Sequence, residues 1–334
     1  MKNLLLRFRI MNHKLISFLL VIGSIVLLVS MTRDQQLNLQ DGELPKNSID
    51  LGKKLFFDPI LSSNRQVSCA SCHKPEFGFA DSSDFSLGVD GHVTGRNTPT
   101  ATYLSKRQFY FWDGRATTLE QQALGPISHP KEMNLPVAEA IKRLKSIPYY
   151  MESFKNLFYE APNARNLTKC IADYQRSLAV YDTPFDHFMK GDLKALNEKE
   201  LHGLEVYLSG NCRQCHGRLD ILAKDDYANI GLYVNQNDDK GLFEITKDSA
   251  DIGKFKIPHL RNLSKTAPYM HNGSKKTLQE VVEFYNSPEL FNKGKNVDKR
   301  MQGQYKMPKK DLEDLVVFLE SLTDKTLPLA ANKK

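Results

Sequence analysis

The chain has 334 residues, a length suited to about two domains, and its 41% hydrophobic and 25% charged composition is that of an ordinary globular protein. Its formal charge of +7 is concentrated at the start: residues 1–33 carry Lys2, Arg7, Arg9, Lys14 and Arg33 and no acid, leaving 41 basic against 39 acidic groups beyond them. So balanced a body lacks the clustered positive surplus of a nucleic-acid footprint, which excludes DNA or RNA as a partner.

Residues 15–31 are apolar apart from Ser17, Ser24, Ser30 and Gly23, and basic residues precede them. That is the layout of an export signal. No Ala-x-Ala cleavage site follows, and the run is nearly long enough to stay in the bilayer as an anchor. The positive-inside rule then puts everything after residue 34 outside the cytoplasm. Residues 1–34 are expected to be a signal peptide or membrane anchor, and the body periplasmic. The only membrane contact would be through residues 15–31, if they are retained.

Residues 34–45 are polar and read as a linker. Ser48 is expected to cap a short helix carrying Leu51, Leu55 and Phe56, and residues 58–100 read as loop around a first cysteine pair. Helical spacing returns over residues 137–144 and along Ile171, Tyr174, Leu178 and Tyr181. The run Asp182-Thr-Pro-Phe-Asp186 breaks that pattern, and the domain boundary is placed there, giving domains of 35–183 and 184–334. Asn197 with Glu200 predicts a capped helix through Leu201, Leu204 and Leu208 that ends at Gly210. Thr277 with Glu280 opens another, and Leu312, Leu315, Val316, Leu319 and Leu322 line a last one. Few strand patterns occur, so the expected class is mainly α: two cytochrome c-like domains with long loops.

Four of the five cysteines repeat one pattern, Cys69-Ala-Ser-Cys72-His73 and Cys212-Arg-Gln-Cys215-His216. Cys-x-x-Cys-His is the c-type haem attachment signature. The two thiols add to the two vinyl groups, and the adjacent His reaches the iron. A thioredoxin-like pair would need a βαβ context that is absent. A single Cys₄ zinc site would leave His73 and His216 unexplained. Two covalent haems are therefore expected, and the export segment suits their attachment. Cys170, the fifth, lies in a helical stretch and reads as a small buried hydrophobe.

Further motifs follow in order: Gly95-Arg-Asn-Thr-Pro-Thr100, Phe111-Trp-Asp-Gly-Arg-Ala116, Gln122-Ala-Leu-Gly-Pro126 with Glu132-Met133, and Pro258-His-Leu-Arg-Asn262 leading to Ala267-Pro-Tyr-Met-His-Asn-Gly273. With the two haem motifs, they make residues 47–325 resemble the bacterial di-haem cytochrome c peroxidase and MauG family. The resemblance implies a peroxide site at the His73 haem, with Gln122, Pro126 and Glu132 in its distal pocket. Glu132 would be the acid–base group, because a carboxylate near the iron can take a proton from one peroxide oxygen and give it to the other. It also implies that Trp112 carries electrons between the haems. Asn97, Thr266 and Pro268 would hold a calcium ion, the latter two through backbone carbonyls, with the oxygen ligands that cation prefers.

Two departures from the typical peroxidase bear on mechanism. The position from which a second His blocks the first iron until reduction is Val89 here, and His92 is three residues out of register. The first haem is therefore expected to be open to peroxide when oxidised. The typical Met axial ligand of the second haem falls, fourteen residues beyond His271, on Tyr285, as in MauG-type members. Met270, Met301 and Met307 are the other candidates. The implied enzyme is a cytochrome-c peroxidase that reduces hydrogen peroxide with electrons from a small periplasmic protein, a cytochrome c or a cupredoxin, entering at the C-terminal haem. The alternatives are a MauG-type oxidase acting on a protein or small molecule through high-valent haem iron, and a non-catalytic electron carrier.

Overall fold

Several of the longer helices begin at a side-chain cap that satisfies their first free N–H groups. The computed structural model describes residues 43–217, 225–301 and 306–326. The segment expected to direct export lies outside these described residues. Helix α1 (Ser48–Phe57) is capped by Asn47, whose side chain accepts from the Ile49 and Asp50 amides. Ser48, the expected cap, instead donates its hydroxyl to Asp173 at 2.6 Å. A single turn, α2 (Cys69–Cys72), carries the first cysteine pair, and the rest of residues 58–118 is loop with short 3-10 turns, so the loop expected over 58–100 runs on to residue 118.

Helix α3 (Leu119–Ser128), capped by Thr118, was not evident in the sequence, because Gly125 and Pro126 weaken its helical signal. Helices α4 (Val137–Lys145), α5 (Pro148–Phe158) and α6 (Ala164–Ser177) follow. Tyr181 lies past the end of α6, with a left-handed backbone. The break at residues 182–186 opens a helix of its own, α7 (Pro184–Met189), through a reciprocal Thr183–Asp186 cap. Helix α8 (Glu198–Ser209) has the expected Asn197–Glu200 capping box, and α9 (Cys212–His216) carries the second pair. Strands β1 (Tyr227–Ala228) and β2 (Phe255–Lys256) pair antiparallel, Tyr227 opposite Lys256. Short α10 (Phe243–Thr246), α11 (Leu278–Tyr285) with its Thr277 cap, α12 (Pro288–Phe291) and α13 (Lys309–Ser321) complete the chain.

Two apolar cores hold these helices. One gathers Leu51, Leu55, Ile127, Leu144, Phe154 and Ile171 where α1 and α3 pack on α6. The other gathers Phe185, Leu204, Tyr207, Val282, Leu315 and Phe318 where α8 and α11 pack on α13. In each, a glycine lets two backbones touch. A Cβ added at Gly52 would fall on the Cys170 carbonyl of α6, and one at Gly203 on the Asp314 carbonyl of α13.

Candidate functional site

The first cysteine turn is followed by a tight loop. Gly78 and Phe79 take positive φ, and Lys74 bridges antiparallel to Ala80. That return places the Phe79 carbonyl 3.0 Å from His73 Nδ1. A metal-ligating imidazole is commonly anchored in this way through its other nitrogen, which assigns Nε2 to the metal. Burial pushes the Cys69 thiol up to about 12 and Cys72 to about 11. Thiols so held are protonated, unlike the activated thiolates of a redox pair.

Cys69, Cys72 and His73 line a cavity of about 550 Å³. Gln122 and Pro126, one turn apart on α3, line it too, with Glu132 from the turn after that helix. Pro126 has no N–H to return to the Gln122 carbonyl, and Gln175 Nε2 holds the Gln122 side chain at 3.4 Å. The Met133 amide bonds the Pro126 carbonyl at 3.1 Å, turning the chain so that Glu132 reaches the cavity. Burial raises the Glu132 pKa; His129, with Nδ1 3.5 Å from Oε1, and Arg115 oppose that rise.

Trp112 borders the same cavity. Its loop turns at Phe111 and Gly114, both with positive φ, and closes through a Tyr110–Ala116 bridge. Its indole N–H donates to the Asn97 carbonyl at 2.8 Å, and its carbonyl accepts the Lys256 amide at 2.7 Å. Val89 is fully buried, with its amide on the Glu132 carbonyl at 2.8 Å, and His92 is exposed. Neither lines the cavity.

At the second motif, His216 Nδ1 is 2.8 Å from the Pro258 carbonyl, which again leaves Nε2 for a metal. Burial lowers the His216 pKa to about 4. Tyr285, the last residue of α11, lies beside this turn; burial and the neighbouring Cys215 and Cys212 sulfurs hold its hydroxyl above the ordinary tyrosine value. Met270 and Met301 belong to the same apolar cluster as Tyr285, whereas Met307 packs with the other core. The residues therefore fit haem at both motifs, with paired thiols on one helical turn, an anchored imidazole and, at the first, a cavity to receive the ring.

The residues expected at calcium are less convergent. The Asn97 amide bonds the His271 carbonyl at 2.8 Å, and its side-chain amide donates to the Ser83 and Asp84 carbonyls. Thr266 precedes the cis Ala267–Pro268 bond, on the loop that includes His271. Among the described residues no group of three or more His, Cys, Asp or Glu could hold a metal ion. Calcium would rest on Asn97 and main-chain oxygens.

Sequence reasoning passed over His129, Arg107 and Lys256, which also line the cavity. His129 and Lys256 lie within three residues of motifs that were singled out, and neither carries a spacing signal of its own.

A profile described as di-haem cytochrome c peroxidase matches residues 46–194. Cytochrome c551 peroxidase of Nitrosomonas europaea is 35% identical over 84% of this chain and 81% of its own length. The methylamine utilization protein MauG of Methylorubrum extorquens is 34% identical over 84% and 79%. Among solved structures, a MauG-like protein associated with microbial copper homeostasis superposes with a TM-score of 0.77 at 30% identity, covering 86% of this chain and 92% of that one. The diheme peroxidase BthA from Burkholderia thailandensis gives 0.73 at 25% identity, covering 85% and 87%.

Proposed function

The chain belongs to the di-haem cytochrome c peroxidase family, and on that premise we propose that it is an exported peroxidase that reduces hydrogen peroxide at the His73 haem. The observation that carries this reading is one cavity bordered by Cys69, Cys72 and His73 together with Gln122, Pro126 and Glu132. Haem, when bound, supplies the iron and the redox equivalents; the chain supplies the proton handling. Two electrons and two protons turn one peroxide into two waters. Glu132 takes the proton from one peroxide oxygen and returns it to the other, which leaves as water. Its raised pKa keeps both protonation states accessible. Gln122, held by Gln175, orients the peroxide, and Pro126 keeps that wall free of a competing N–H.

Electrons enter from a small periplasmic cytochrome c or cupredoxin at the C-terminal haem on His216 and pass Trp112. Residues 35–183 form the peroxidatic domain and residues 184–334 the electron-transfer domain. Residues 1–34 direct export, and one calcium ion rests on Asn97, Thr266 and Pro268. Replacing Glu132 with Gln is expected to lower peroxide turnover roughly 10²-fold or more, the scale of losing a positioned acid–base group, with haem content unchanged. Equal turnover would remove Glu132 from the reaction.

A second reading is favoured by Tyr285 beside Cys212 and Cys215. With Tyr on the second iron, the same site would pass oxidising equivalents to a protein or small molecule, as a MauG-type oxidase.

A further inference from the structure

Lys256 presents an unanswered charge. It lines the cavity that holds Cys69, Cys72 and His73, and among the described residues its ammonium has no hydrogen-bond or ion-pair partner. Beside it lies Arg107, 6% exposed, whose Nε pairs with Asp225 at 3.1 Å and whose Nη2 donates to the Ile257 carbonyl at 2.9 Å. Asp225 is thus engaged by one of two neighbouring cations. Arg261, the next cation along this segment, has its own carboxylate in Asp186 at 2.8 Å. Arg107 and Lys256 therefore share Asp225, and Lys256 faces the cavity.

The surroundings register that surplus. His259, buried beside these groups with Nε2 on the Thr102 carbonyl, is pushed down to about 3, by burial first and then by Lys256. Lys256 itself is lowered to about 7, by burial and then by Arg107, with Asp225 opposing the shift. A cation drawn out of water and short of counter-charge is unfavourable, and Asp225 answers Lys256 only in part because Arg107 shares it, so an anion in the cavity would lower that cost. The cofactor assigned to this cavity carries two carboxylates.

We propose that Lys256, backed by Arg107, is an anion-binding position that receives a propionate carboxylate of the haem attached at Cys69 and Cys72. The inference rests on the haem reading of that cavity. It adds a coupling, because the Lys256 amide also holds the Trp112 carbonyl at 2.7 Å. One residue of β2 then fixes both the edge of the first haem and the loop of the bridging indole.

The test uses the haem-loaded protein with Lys256→Met, which keeps the volume and removes the charge, and Lys256→Arg, which keeps the charge. In the Met variant, the propionate bending band of one haem in the resonance Raman spectrum should shift, and that haem's midpoint potential should fall, since a cation that disfavours the oxidised iron is gone. The melting temperature should fall too, because a buried carboxylate loses its partner. The Arg variant should restore all three towards the parent values. A haem-loaded Met variant with an unchanged band and potential, or one that melts higher, would overturn the proposal, since removing a half-buried cation that meets no anion in the cavity stabilises. Should the Met variant fail to mature, Lys256→Gln is judged by the same band and potential. A parent protein that matures without haem would instead overturn the peroxidase reading itself.

Discussion

Glu132 shows how little separates a surface acid from a working one. A carboxylate drawn out of water protonates more readily, and here His129 and Arg115 only partly offset that effect. As a base Glu132 must be ionised, so kcat/KM for peroxide should fall on acidification through a pKa above the ordinary glutamate value. The limb should be missing in Glu132→Gln; a limb of unchanged position in that variant would assign it to another group. Tyr285 makes the second residue-scale prediction. A phenolate is a harder donor than a thioether and stabilises Fe(III), and axial-ligand identity is a main control on haem potential. Tyr285→Met should therefore raise the potential of the second haem and add the weak near-infrared band of His/Met ligation. Tyr285→Phe should leave that iron high-spin or let Met270 or Met301 move in. A second haem unaltered in spin state and potential by Tyr285→Phe would reduce Tyr285 to core packing.

At the scale of elements, the two crossings α1–α6 and α8–α13 use the same device. Each brings backbone against backbone at a glycine, Gly52 on Cys170 and Gly203 on Asp314. Overpacking a filled interior costs about 1–3 kcal/mol, and contact with a carbonyl leaves no soft side chain to yield. Gly52→Ala and Gly203→Ala should each lower unfolding stability by at least that amount in denaturant titrations. Gly95, with nothing within 4 Å of an added Cβ, should tolerate Ala within about 0.5 kcal/mol. Equal stability of all three variants would mean the helix pairs separate without penalty. These elements were unequally legible in the sequence. Helix α8 could be read because Asn197 and Glu200 cap it and leucines mark its face. Helix α3 could not, because Pro126 and Gly125 contradict local propensity while the Thr118 cap and packing of Ala123 and Ile127 sustain it. The cysteine turns were readable from spacing alone. Glu132 needed the family resemblance, since a lone loop carboxylate has no periodicity, and Lys256 stayed hidden because a single lysine on a two-residue strand carries no spacing signal.

For the whole molecule, the expectation that this chain needs no prior reduction rests on Val89. Val89 is packed into the wall behind Glu132, His92 is exposed, and His259 is committed to the Thr102 carbonyl. His129, the remaining imidazole at the cavity, pairs with Glu132. Of the imidazoles that line the cavity beside His73, His129 and His259 thus each hold another partner. The direct measurement is rapid mixing of the fully oxidised, haem-loaded protein with hydrogen peroxide, followed by absorbance. The spectrum of the first haem should change at once and peroxide should be consumed without prior reduction. A protein that stays inert until it has received one electron would contradict this account, because some residue would then be capping the first iron.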